Sequence, residues 1–141
     1  PFLTPTAAYA LFYNNSATGA TYAAGENIAY QSTLYNTATA DIVNNNGLIT
    51  LSGGTTGKAY LVNYQVTGET ANDATLALAI NGTVDSNSEI IPNSATGTSN
   101  GSYIVNVPAN STSTVALRVV SGTVTTASPT VGSYFSVIRI A

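Results

Sequence analysis

The 141-residue chain contains no cysteine, histidine, tryptophan or methionine. Without cysteine there is no disulfide, no thiolate metal site and no thiol nucleophile. Without histidine the commonest general base and the commonest metal ligand are both missing. Charge is sparse as well. Three basic and six acidic residues make up 6% of the sequence and leave a net charge of −3, whereas an average domain is about 25% charged. Nucleic-acid binding needs clustered lysine and arginine, and the basic residues here are Lys58, Arg118 and Arg139. No apolar run approaches the ~18 residues of a membrane-spanning helix. These absences argue against an enzyme, a nucleic-acid partner, a membrane-inserted helix and a resident cofactor.

What remains is 44% hydrophobic and rich in Thr, Ser, Asn and Gly. A chain of this length forms one domain and buries roughly 68% of its unfolded surface. Its surface is then polar but nearly uncharged, a combination commoner in extracellular, cell-wall and fibre proteins than in cytosolic enzymes.

Helical periodicity is missing, while β-branched and aromatic residues cluster in short runs bounded by turn signals. Strands are expected over Ala7–Tyr13, Asn27–Tyr30, Thr33–Tyr35, Gly47–Leu51, Lys58–Val66, Thr75–Ile80, Ser102–Val107, Thr114–Val120 and Tyr134–Ile140. Between them stand Asn46-Gly47, Gly53-Gly54, Asn81-Gly82 and Asn100-Gly101, and Asn-Gly supplies the positive φ of tight hairpins. The pattern predicts an all-β fold, an antiparallel sandwich or jelly roll.

Alternation assigns faces. In KAYLVNYQV, Tyr60, Val62, Tyr64 and Val66 point one way and Ala59, Leu61, Asn63 and Gln65 the other. In TVALRVV the core face is Val115, Leu117 and Val119. The last strand, in SYFSVIRIA, puts Phe135, Val137 and Arg139 on one face and Tyr134, Ser136, Ile138 and Ile140 on the other. Both of its faces are substantially apolar, yet a sandwich strand needs only one such face. The second face is covered either by a loop such as Ser121–Ser133 or by another copy of the chain. Exposed apolar patches mark contacts, and nine tyrosines suit interfaces that are apolar in body and hydrogen-bonded at the tip.

The ordered series AYALFYNN, GLITLSGGTTGKAYLVNYQVTG, ATLALAINGT, STVALRVVSGT and SYFSVIRIA resembles the C-terminal domain of the collagen-like glycoproteins of bacterial spores, the BclA family of the exosporium. The chain is richer in Tyr and Asn than the best-known members, and it carries Arg118 and Arg139. The resemblance implies a jelly roll of the tumour-necrosis-factor and complement globular-head type. It also implies a homotrimer whose last strand lies in the sheet facing the threefold axis. Tyr9, Tyr60, Tyr103, Tyr134, Ser136, Ile138 and Ile140 are the expected subunit contacts. On the same footing residues 1–6 are a linker from a collagen-like stalk, residues 7–141 are the trimerisation domain, and the setting is the spore surface. A host-surface protein or glycan is a further possible partner.

Other chemistry has weaker signals. The segment DSNSE places Asp85, Asn87 and Glu89 at alternate positions, a set of hard-oxygen ligands suited to calcium. As an EF-hand loop it fails, because Ile90 stands at the required glycine and Thr96 at the closing acidic position. The carboxylates Glu26, Asp41, Glu69, Asp73, Asp85 and Glu89 single out no glycosidase pair, and Lys58 reads as a solvated charge at the start of a strand. If the domain is instead a sugar- or receptor-binding fibre tip, Tyr13, Tyr22, Tyr30 and Tyr35 are the candidates for stacking on a pyranose ring. Sequons occur at Asn14, Asn81, Asn100 and Asn110. Arg118 and Arg139 are expected on neighbouring strands, each meeting a carboxylate, a carbonyl or water, since a buried unpaired arginine is costly.

Overall fold

A computed structural model describes residues 8–15, 20–92, 97–126 and 133–141, with the side chains of 69–73 and 97 outside the description. The linker assigned to residues 1–6 therefore lies outside the described residues. The strands are β1 (Tyr9–Tyr13), β2 (Thr21–Ala23), β3 (Ser32–Asn36), β4 (Ile42–Asn45), β5 (Leu48–Ser52), β6 (Lys58–Ile80), β7 (Thr83–Val84), β8 (Gly97–Val107), β9 (Thr112–Thr126) and β10 (Tyr134–Arg139). One 3₁₀ turn spans Ser86–Ser88, and there is no α-helix among the described residues.

The strands form two layers joined through β6. In the first layer the order is β3-β1-β10-β6-β8, using Lys58–Gly68 of β6 against β8. In the second, Gly68–Ile80 of β6 pairs with β9, followed by β5 and β4, with β7 beyond β6 and β2 on the far part of β9. Every pairing is antiparallel. The register of β6 against β9 slips between Gly68 and Thr70 and again around Thr75. Bulges of this kind let a strand turn a corner from one sheet into the next. The sequence pattern gives two strands, Lys58–Val66 and Thr75–Ile80, because the polar stretch between them has no apolar alternation. Backbone pairing carries the strand through it.

Two of the Asn-Gly pairs form the hairpins expected of them. Asn46 and Gly47 have φ of 50° and 98° and join β4 to β5; Asn81 and Gly82 have φ of 52° and 82° and join β6 to β7. Asn100-Gly101 is not a turn but lies within β8, opposite Gln65 and Tyr64. The predicted strand Asn27–Tyr30 is reduced to one bridge, Asn27 to Arg118. Its residues are still fixed, with Ile28 and Tyr30 fully buried.

The core between the layers is built by the alternation read from the sequence. Tyr60, Val62, Tyr64 and Val66 of β6 meet Val115, Leu117 and Val119 of β9 and Phe135 and Val137 of β10 in one buried cluster. The buried tyrosines keep their hydroxyls paired: Tyr30 donates to Gln65 O (2.9 Å), Tyr60 to Ser52 O (2.6 Å) and Tyr64 to Ser88 O (2.7 Å). Without those acceptors each hydroxyl would carry a desolvation penalty of about 1–3 kcal/mol.

Arg118 and Arg139 do not sit on adjacent strands. β9 and β10 flank different halves of β6, so the two arginines belong to different layers. Arg118 donates to Asn27 Oδ1 (2.9 Å) and Gly82 O (3.2 Å). Arg139 Nη1 stands 3.5 Å from Asp41 Oδ2, an oxygen that also accepts from Lys58 Nζ at 2.8 Å. Lys58 is thus an ion-pair partner rather than a free solvated charge.

Candidate interaction face

The face of the first layer that points away from the core is assembled row by row across four strands. Tyr9 pairs with Ile138, Ile138 with Leu61, and Leu61 with Ile104. Antiparallel registry sets these side chains side by side on one surface, giving an apolar stripe across the sheet. Tyr9 is 41% exposed, Ile138 38% and Ile104 54%. The next row is Tyr35, Leu11, Ser136, Asn63 and Ser102; the third is Tyr13, Tyr134, Gln65 and Asn100. At the β1/β3 end the rings of Tyr9 and Tyr35 meet edge-on, 5.6 Å apart. No residue in these rows is charged.

Five of the seven expected contact residues lie on this face. Tyr9, Tyr134, Ser136 and Ile138 belong to its rows, and Ile140, 48% exposed, follows one pairing step further, with its N–H donating to Ala59 O (2.8 Å). Tyr60 and Tyr103 do not belong to it. Tyr60 is fully buried in the sandwich core, on the side of β6 opposite Leu61. Tyr103 alternates with Ser102 and Ile104 and so turns inward, where its hydroxyl donates to Asp85 Oδ2. Leu61 and Ile104 complete the stripe and Leu11 stands in the row beside it; none of the three is among the expected contacts. The alternation of KAYLVNYQV and SYIVNV holds the signal, since Leu61 and Ile104 fall opposite the core residues.

The four tyrosines considered for sugar stacking divide in two. Tyr30 is fully buried and Tyr22 is 8% exposed, with Asn14 Nδ2 donating to the Tyr22 hydroxyl at 3.2 Å. Neither offers a ring face to a ligand, because the segments that carry them dock onto the core instead of running as free loops. Tyr13 and Tyr35 lie on the outward face of the first layer. The same packing closes one sequon: Asn14 is buried, and its amide also donates to Ala29 O (2.7 Å).

The DSNSE segment is a structural anchor. Asp85 caps the 3₁₀ turn, with Oδ1 accepting from Asn87 N (2.9 Å) and Oδ2 from the Tyr103 hydroxyl. Ser88 Oγ donates to Asp85 O (2.6 Å) and accepts from Leu78 N (2.8 Å), tying the turn to β6. Both carboxylate oxygens of Asp85 are therefore engaged within the fold. The Tyr103 hydroxyl, with help from the Asn87 amide, holds Asp85 below the usual carboxylate range. Among the described residues no group of three or more acidic, His or Cys side chains is close enough together to hold a metal ion. The calcium expectation for Asp85, Asn87 and Glu89 thus meets a carboxylate already occupied by hydrogen bonds.

In sequence, no family model and no curated protein matches the chain. In structure it is similar to the Eiger TNF of S. frugiperda, at 12% identity over 98% of this chain and 94% of that one, with a TM-score of 0.67. It is also similar to the globular domain of zebrafish complement 1qA, at 11% identity, 95% and 98% coverage and a TM-score of 0.64. Murine APRIL at pH 5.0 matches at 7% identity, 94% and 98% coverage and a TM-score of 0.69. What the chain shares with them is the fold: an all-β jelly roll of the tumour-necrosis-factor and complement-head type.

Proposed function

We propose that this domain is a non-enzymatic head through which three copies of a collagen-like surface protein assemble. The observation that carries the reading is the apolar stripe Tyr9–Ile138–Leu61–Ile104, exposed on a sheet face whose rows hold no charged side chain. Fully burying an aliphatic side chain the size of Leu or Ile contributes about 1.5–3 kcal/mol. Covering the part of Leu61, Ile104 and Ile138 that the protomer leaves in water therefore favours association of copies through this face. A contact between one edge of the sheet and the face of the next copy is head-to-tail, and it closes into a ring when the rotation allows. The tumour-necrosis-factor and complement-head fold supports the threefold arrangement.

In this reading a collagen-like stalk joins the domain on its N-terminal side. A compact trimer raises the effective concentration of three stalk chains and sets their register before they wind. The protein is then a glycoprotein of the bacterial spore surface, with the head displayed on the exosporium; the sequence resemblance supports that setting. A role as a tip that touches a host protein or glycan is compatible with it.

Sedimentation of the isolated domain at micromolar concentration tests the core of the proposal. A species of three times the chain mass is expected, and Ile104→Asp is expected to convert it to a folded monomer. A wild-type monomer under those conditions overturns it. Antibody labelling of intact spores, compared with spores stripped of their outermost layer, tests the location.

A further inference from the structure

The face that carries the apolar stripe changes character along the strands. Four residues from Ile138, about 13 Å along β10, the surface dips into a groove of about 340 Å³. Its floor is Asn63 and Gln65 of β6; one wall is Tyr134 and Ser136 of β10, and the other is Asn100 and Ser102 of β8. We propose that this groove binds a neutral pyranose.

The lining chemistry selects the ligand class. Each amide side chain offers a carbonyl acceptor and two N–H donors, and each serine hydroxyl both donates and accepts. Among the described residues, the side chains of Asn63, Asn100, Ser102 and Ser136 make no hydrogen bond within the protomer. They converge from three adjacent strands held in fixed register, so their spacing is preset by the sheet. Tyr134, 40% exposed, adds an aromatic ring at the wall. A sugar ring has this complement: hydroxyls around its rim that donate and accept, and a C–H face that lies against an aromatic ring. The volume is at the lower end of the range for small-molecule sites and suits a single ring.

Other ligand classes fit less well. An anion finds no cation here. Lys58 and Arg139 stand seven residues along β6 and five along β10 from Gln65 and Tyr134, and both are committed to Asp41. A cation finds no carboxylate in the lining. Glu89 lies beyond Asn100 and lines a separate depression. An apolar ligand would strip water from the amides without replacing its hydrogen bonds. An extended peptide cannot add as a strand along the groove floor, because β6 is paired on both sides here, to β10 and to β8.

The groove's lining residues all come from one protomer, and because Tyr134 and Ser136 are also expected subunit contacts, the test asks whether the groove stays open in the assembled protein. Saturation-transfer NMR with methyl glucoside, methyl galactoside and methyl N-acetylglucosaminide at millimolar concentration tests it, with glucuronate as the anionic control. At least one neutral glycoside is expected to bind saturably and glucuronate not to bind. Asn63→Ala, Asn100→Ala and Tyr134→Ala are each expected to weaken binding about tenfold, as loss of one or two hydrogen bonds or a stacked ring implies. Circular dichroism establishes that each variant is folded. Ile104→Asp lies outside the groove and disrupts the proposed self-association, so it separates the two readings: binding is expected to persist in it. Absence of binding in both the wild type and Ile104→Asp overturns the proposal. So does binding that the groove substitutions leave unchanged, or binding seen in Ile104→Asp alone, which would mean that the groove is closed in the assembled protein.

Discussion

A Cβ at Gly101 would stand 2.7 Å from Cε2, Cζ and Oη of Tyr64. The two residues are paired across β6 and β8, and the tyrosine ring lies over the glycine because its hydroxyl reaches Ser88 O at 2.7 Å. The ring has little room to retreat, since Phe135 packs against it at 6.4 Å. Glycine is required here for close approach, not for a turn. Forcing an extra methyl into so close a contact typically costs about 1–3 kcal/mol, so Gly101→Ala is expected to lower the melting temperature by several degrees. Adding Tyr64→Leu is expected to cost less than the sum of the two single changes, because the smaller side chain vacates the space. Thermal denaturation of the three variants measures this.

The Tyr103–Asp85 hydrogen bond makes stability depend on pH at both ends. Asp85 is depressed in the native state, chiefly by the Tyr103 hydroxyl. Its contribution is in place above the unfolded value of about 4 and is lost as the pH falls through the native one. Tyr103 is raised, first by the same bond. That contribution is in place below about 10 and is lost as the pH rises through the native value. Asp85→Asn is expected to flatten the acid limb of the stability profile, measured by urea denaturation between about pH 2 and 6, within the window these values define.

Tyr30, Tyr60 and Tyr64 are all pushed up, with burial the leading cause in each. Their ionisation is expected to coincide with unfolding. Tyrosinate absorbance followed in parallel with circular dichroism above about pH 10 checks it: a late absorbance step should share its midpoint with loss of the β-sheet signal.

Asp41 holds two cations, Lys58 at 2.8 Å and Arg139 at 3.5 Å. These side chains are 19–31% exposed, so solvent screens part of the interaction. Replacing Asp41 with Asn leaves the two positive groups facing one another. A loss of about 1 kcal/mol is expected, read from chemical denaturation and shrinking as salt is raised.

Self-association through an uncharged face should respond to salt in the opposite sense from an ion-paired interface. The trimer proposed here is expected to persist from low ionic strength to about 1 M salt, where the screening length is only about 3 Å. Ile138→Asp is expected to weaken it by about 10- to 100-fold, from the lost burial of one aliphatic side chain. Sedimentation across a salt series measures both.

The apolar stripe shows where the sequence could be followed and where it could not. That one surface of the last strand would be apolar and outward-facing follows from the two-residue period of SYFSVIRIA, and Tyr134, Ile138 and Ile140 stand there. Tyr60 and Tyr103, expected at the subunit contact, instead stand on the core side, because each alternates along its strand with an outward-facing neighbour, Leu61 and Ile104. Tyr22 and Tyr30 show a different limit. Nothing local tells a docked segment from a free loop, and their burial comes with partners far away in sequence, Val124 paired with Tyr22 and Gln65 O accepting from the Tyr30 hydroxyl. The Asn100-Gly101 pair carries the chemistry of a turn, yet its partner strand fixes it as extended backbone.

The sequence alone determined the all-β character, the Asn-Gly hairpins at 46–47 and 81–82, and which residues share a face along KAYLVNYQV, TVALRVV and SYFSVIRIA. All three arise from forces acting over a few residues: backbone sterics at positive φ, and the alternation of side chains along a pleated strand. Only the tertiary structure decided that Lys58–Ile80 is one strand crossing between layers. It also aligned Tyr9, Ile138, Leu61 and Ile104 in a single row, and brought Asn63, Asn100 and Tyr134 around one groove. Those outcomes depend on register between strands distant in the chain. Long-range hydrogen-bonded pairing sets that register, and the local pattern of residues does not encode it.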